Sequence, residues 1–170
     1  MADGWPGVKA VKHDMEYPGA TPEQVYAMLA DPNFREQVCE YQGYPRRTVT
    51  ITPAGDGMAV KVDQYRPATE VPSFARKLVG EEINILQQEE WTSPTDMNLL
   101  VSIPGKPGSM AGTVVLRGHD GGTTETVSVE VKVNIPLVGG KLEGFLGDTL
   151  LRALRAENKV GLRWLAGEVS

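Results

Sequence analysis

The chain has 170 residues and a formal net charge of −5, with 41% apolar and 23% charged residues. That length and balance fit one globular domain spanning residues 1–170 and exclude a disordered chain. A single cysteine, Cys39, excludes an internal disulfide framework, and two histidines, His13 and His119, offer little for a zinc or haem site. No cofactor and no metal are therefore expected, and the acidic balance argues against nucleic acid as a partner. Residues 1–7 lack a basic segment followed by an apolar run, and no stretch of about 18 apolar residues occurs. The expectation is a cytoplasmic protein whose first seven residues form a flexible segment.

Taken in chain order, Val8–Tyr17 alternates as a strand, with Val11, His13, Met15 and Tyr17 on one face. Thr21 and Gln24 have the spacing of a capping box, and Pro22 suits the first helical position, which needs no N–H donor. Val25, Met28 and Leu29 give that helix its apolar face. Asp31-Pro32 starts a second short helix carrying Phe34 and Val38. Two alternating runs, Arg46–Thr52 and Met58–Tyr65, flank a Gly/Asp-rich turn and read as a hairpin. Pro72–Gly80 reads as a short helix capped by Ser73 and ended by Gly80, with Phe74 and Leu78 meeting at i, i+4.

Strand patterns follow at Glu82–Trp91, Met97–Ile103, Met110–Arg117 and Thr124–Ile135. The last is the cleanest: Val127, Val129, Val131, Val133 and Ile135 alternate with polar residues, as a sheet with one dry face requires. Short turns between these runs indicate an antiparallel meander. After Pro136 and Gly139-Gly140 the period becomes helical from Lys141 to about Ala166, with Leu142, Leu146, Leu150, Ala153, Val160 and Trp164 near one face. The fold class expected is α+β: a curved antiparallel sheet of about seven strands around a long C-terminal helix, with two short helices after the first strand.

This order is the helix-grip arrangement. The runs Ile103-Pro104-Gly105, Gly112-Thr113 and Ile135-Pro136-Leu137-Val138-Gly139-Gly140-Lys141-Leu142-Glu143, with Glu157 and Trp164-Leu165, resemble an uncharacterised bacterial domain-of-unknown-function family. That family lies in the START-like (SRPBCC) superfamily, beside birch-pollen-allergen-like proteins and polyketide cyclases. Tyr17-Pro18, Glu23-Gln24-Val25, Asp31-Pro32 and Pro72-Ser73-Phe74 fit the same pattern. The resemblance implies the fold and a deep apolar cavity between sheet and helix. It carries over no catalytic residue.

The function expected is binding of a small hydrophobic molecule such as a lipid, isoprenoid or polyketide. The expected lining is His13, Met15, Met58, Val60, Gln64, Phe74, Leu78, Gln87, Glu89, Trp91, Leu99, Val101, Val129, Val131, Leu146, Leu150, Ala153 and Glu157. Within it, His13, Gln64, Gln87, Glu89 and Glu157 are polar residues on apolar faces. A buried carboxylate without a partner costs several kcal/mol, so each must be paired, hydrated or neutralised. The bland alternative puts Glu157 at the cavity rim and turns Gln87 and Glu89 outward through a bulge. Met15, Met28, Met58, Met97 and Met110 would make the cavity adaptable.

Two rival functions follow from the same residues. A cyclase-like enzyme would pair His13 with Glu157 or Glu89 as acid and base. A protein-interaction module would have a filled core, with any cavity below about 300 Å³. Its protein partner is not named by the sequence. The basic row Lys141, Arg152, Arg155, Lys159 and Arg163 reads first as the solvated face of the last helix. Phe74, Leu78 and Val79 beside Arg76 and Lys77 support at most transient membrane contact. Gly139-Gly140-Lys141 is not a phosphate loop, because Leu142 stands where Ser or Thr should be.

Overall fold

The computed structural model describes residues 8–169; the expected flexible segment at residues 1–7 lies outside them. The elements run β1 (Val8–Pro18), α1 (Pro22–Leu29), α2 (Pro32–Tyr41), β2 (Arg46–Ala54), β3 (Gly57–Pro67), a short 3-10 turn, α3 (Ser73–Val79), β4 (Glu82–Trp91), β5 (Asp96–Ser102), β6 (Gly108–His119), β7 (Gly122–Val133) and α4 (Gly139–Leu165). All seven strands form one antiparallel sheet in the order β1-β7-β6-β5-β4-β3-β2. This is the α+β helix-grip fold that the alternation and the terminal helical period imply. Among the described residues, no helix is long and apolar enough to cross a membrane.

Local chemistry sets the element ends. The α1 capping box forms as expected: the Gln24 backbone N–H donates to Thr21 Oγ1 at 3.1 Å, and the Thr21 N–H donates to Gln24 Oε1 at 2.9 Å. The α2 cap is Asp31, whose carboxylate accepts from the Asn33 N–H. The start of α3 corrects the sequence reading. Pro72, not Ser73, occupies the cap position, and no side chain caps the helix. β7 ends at Val133 rather than Ile135, where the buried Glu143 carboxylate of α4 accepts the Val133 N–H at 3.3 Å.

The main core lies between the inner sheet face and the helices, and includes Tyr17, Val25, Met28, Phe34, Trp91, Val127, Val131 and Leu154. A second apolar cluster joins α3, the start of α4 and the end of β7 through Val71, Ala75, Ile83, Val133 and Leu142. α4 crosses the sheet over β1 and β7 and also packs on α2. Two glycines allow its close approach. A Cβ at Gly147 would touch Val11 and Lys9 at 3.4 Å, and one at Gly161 would lie 2.7 Å from the Tyr17 ring. The helix therefore covers the β1–β7 side and leaves space over β3–β6.

Candidate functional site

That space is a cavity of about 130 Å³ bounded by β3 to β7, α2 and α4. Its walls are mostly apolar, with Leu29, Val62, Ile85, Trp91, Met97, Leu99, Val101, Met110, Val114, Val127, Leu150 and Leu154 among them. It is smaller than the roughly 300 Å³ at the low end of drug-sized pockets, which corrects the expectation of a deep cavity. Toward one end it reaches the exposed residues Pro67, Glu70 and Arg152. At the other end lies a cluster of ionisable side chains.

Arg35 anchors this cluster. It is only 4% exposed although it sits on a short surface helix. Its Nε donates to the Leu29 carbonyl at 2.8 Å, and Nη1 and Nη2 donate to both Glu89 oxygens at 2.7 and 2.8 Å. Glu89 is equally buried and also accepts from Trp91 Nε1 at 2.9 Å and Gln87 Nε2 at 2.5 Å. Burial pushes the Glu89 carboxyl up, but the Arg35 charge and these donors outweigh it and hold the carboxyl below its ordinary value. The same pairing keeps Arg35 charged against its own burial. The two residues form a closed ion pair with its acceptors used.

Two further carboxyls face the cavity and form no ion pair among the described residues. Glu125 on β7 is 3% exposed, and its Oε1 has no hydrogen-bond partner among the described residues. Burial raises its pKa well above the ordinary value, and the charges of Glu157 and Glu89 add to the rise, against Arg35 and the neighbouring Tyr17 hydroxyl. Glu157 on α4 is half-buried, forms no hydrogen bond or ion pair among the described residues, and lines the cavity. Burial pushes it up to about 7, with Arg35 pulling down and Glu89 pushing up. The Tyr17 hydroxyl, fully buried nearby, is likewise unpartnered, and its pKa is raised mainly by burial. Cys39 donates to Gln64 Oε1 at 3.4 Å, and burial lifts its thiol to about 11, so it is a poor nucleophile. No group of three or more His, Cys, Asp or Glu among the described residues is placed to hold a metal ion.

The structure brings Gln64, Gln87, Glu89, Trp91, Leu99, Val101, Leu146, Leu150, Ala153 and Glu157 together on the cavity wall. Gln87 and Glu89 point inward in an unbroken β3–β4 register, so the bulge alternative is overturned. The other expected lining residues lie elsewhere. Met15, Val129 and Val131 are buried under α4 on the β1–β7 side, and Met58 and Val60 sit in the main core. Leu78 borders a separate apolar hollow beneath α3. Phe74 is 41% exposed, with Lys141 Nζ 6.0 Å from its ring centre. His13 faces inward but is half-exposed, off the cavity wall, and hydrogen-bonded to no carboxylate among the described residues. For Met15, Met58, Val60, Val129 and Val131 the cause is that α4 and the short helices cover part of the inner face, and these side chains pack instead of lining space.

Sequence reading missed Arg35 and Glu125. Both had a signal. Arg35, Val38, Cys39 and Gln42 follow i, i+3, i+4, i+7 spacing and all line the cavity. Glu125 extends the inward alternation of Val127, Val129 and Val131 by one step.

Comparison with known proteins agrees with this architecture. Uncharacterised proteins of Mycobacterium tuberculosis and Mycobacterium bovis are each 28% identical over 105 residues, covering 58% of this chain. The match spans about 60% of the length of those curated relatives. Among solved structures, TTHA0849 from Thermus thermophilus superposes with a TM-score of 0.64 at 18% identity, covering 95% of this chain and 100% of that one. Ara h 8.0201 gives 0.56 at 15% identity, covering 92% and 99%. The di-domain ARO/CYC protein StfQ from the steffimycin biosynthetic pathway gives 0.62 at 8% identity, covering 95% of this chain and 53% of that one. These likenesses bear on the fold alone, which is the helix-grip fold. Because the family of proteins of unknown function DUF2505 matches residues 12–165, nearly the whole helix-grip unit, the chain belongs to that family.

Proposed function

We propose that this protein binds a small, largely apolar molecule in the cavity between sheet and α4, with polar side chains at the inner end fixing its orientation. The observation that carries this reading is the Glu125 carboxyl, buried beside open space with one oxygen that has no hydrogen-bond partner among the described residues. A core selected only for packing would fill that space or pair that oxygen, since an unpartnered buried polar group costs about 1–3 kcal/mol. The volume sets the ligand's size. A cavity near 150 Å³ holds about one aromatic ring, so this closed form suits a ring-sized body. A longer lipid, isoprenoid or polyketide requires the exposed end near Glu70 and Arg152 to open.

The cyclase-like alternative loses its stated pair. His13 is off the cavity wall, and Glu89 is held as a carboxylate by Arg35. A pure interaction module explains the small volume but not the unsatisfied carboxyl beside it. To test binding, a panel of ring-sized apolar compounds is screened by thermal shift against the wild type and Ala153→Phe, which fills the cavity from α4. At ligand concentrations a hundredfold above Kd the wild type gains about 2.7 kcal/mol, and Ala153→Phe gains nothing. Equal shifts in both proteins place binding outside the cavity and sink the proposal.

A further inference from the structure

The inner end of the cavity carries an excess of negative charge. Arg35 from α2 is the cation of the cluster, and Glu89 from β4 takes both its terminal nitrogens. Glu125 from β7 and Glu157 from α4 remain on the wall, neither in a direct ion pair among the described residues, and one Glu125 oxygen is buried with no hydrogen-bond partner among them. The other titratable groups of the cluster are the Tyr17 hydroxyl from β1 and the Cys39 thiol from α2, both neutral near pH 7. With all three carboxyls ionised the cluster holds two negative charges in excess. One ammonium and one retained proton balance it.

We infer that the ligand is an amphipathic amine, with its apolar body against Val114, Val127 and Leu154 and its ammonium received by Glu157 and Glu125. This deepens the cavity-binding proposal and rests on it. The charge balance favours the amine over a neutral oxygen ligand. An ammonium has three donors and serves both carboxyls at once. A carbonyl accepts from one protonated carboxyl and leaves the other without a partner, and a hydroxyl reaches both but leaves the excess negative charge unbalanced. The low-dielectric wall strengthens the ammonium–carboxylate attraction, and burial of the apolar body supplies the remaining affinity.

The two ligand classes differ in their pH dependence. An ammonium requires Glu157 ionised, so its binding displaces the proton that Glu157 holds below about pH 7. Its affinity then falls about tenfold for each pH unit below 7. A neutral ligand carries no charge to stabilise ionised Glu157, so its affinity does not rise with pH.

The test is isothermal titration calorimetry of the full chain with benzylamine and benzyl alcohol at pH 6, 7 and 8, in buffers of different ionisation enthalpy. The expected result is about tenfold tighter amine binding at pH 8 than at pH 6, with protons released on binding at pH 6 and fewer as pH rises to 8. Glu157→Gln is expected to weaken the amine at least tenfold, abolish the proton release and leave the alcohol unchanged. Glu125→Gln is expected to weaken the amine as well. If that buried substitution unfolds the chain, Glu157→Gln on the half-buried helix position carries the test alone. Alcohol binding as tight as the amine, or amine binding indifferent to Glu157→Gln, overturns the amine assignment while leaving cavity binding intact. Binding of neither compound also overturns it, and a co-purifying cavity ligand decides the broader proposal separately.

Discussion

Arg35 and Glu89 are 54 residues apart in the chain, and each is buried only because the other is there. Removing one partner leaves a bare charge in the core, so Arg35→Ala and Glu89→Ala are each expected to cost about 3–5 kcal/mol in urea unfolding. The double variant Arg35→Met/Glu89→Leu is expected to cost less than either. A double variant as unstable as the sum of the singles would show that the two side chains act independently. Glu157 works in the opposite direction. Its folded-state pKa, about 7, lies above the ordinary 4.5, so the folded protein binds more protons than the unfolded chain between those values. Stability therefore falls as pH rises from about 4.5 to 7 and then levels off, with Glu125 adding the same sign. Glu89, held low, loses its contribution as pH drops below 4.5. Glu157→Gln is expected to gain on the order of 2 kcal/mol relative to wild type at pH 8 compared with pH 5. Denaturant melts at the two pH values check this, and an unchanged difference between variant and wild type would refute it.

At the scale of elements, two glycines fix how closely parts approach. On β6, a Cβ at Gly112 would lie 1.9 Å from the Ser128 carbonyl oxygen, which is backbone and cannot step aside. Gly112→Ala is expected to give little folded protein. At Gly161 the obstacle is the Tyr17 ring, 2.7 Å away, so Gly161→Ala pushes α4 off β1 at a cost of about 1–3 kcal/mol. Its better helix propensity offsets up to about 1 kcal/mol of that. A melting temperature at or above wild type would contradict this account of the α4–β1 contact. The elements themselves were legible because their signals are local. The Thr21–Gln24 box, the Pro-started helices and the β7 alternation each depend on residues a few positions apart. The start of α3 was misread because Ser73 follows Pro72, and proline's fixed φ suited the cap position without a side-chain bond.

The whole molecule shows where sequence periodicity runs out. Alternation identifies the inner face of the sheet but not which part α4 covers, so His13, Met15, Val129 and Val131 were grouped with residues that line open space. The cavity lies on the uncovered half, over β3 to β6, and Gln64, Gln87 and Glu89 lie on its wall for that reason. Periodicity places Arg35 and Glu125 on inward faces, but their surroundings are long-range: nothing in α2 announces the Glu89 partner on β4, and nothing in β7 announces the like charge of Glu157 on α4. Together they give an apolar-walled space of about 130 Å³ that ends at the Glu125 carboxyl, one oxygen of which has no hydrogen-bond partner among the described residues. The most direct measurement is native mass spectrometry of the freshly purified chain, followed by solvent extraction. Binding predicts a second species of discrete added mass, released by solvent and absent from Ala153→Phe. A clean apo mass, with no thermal shift across amines, alcohols and larger apolar compounds, would contradict it.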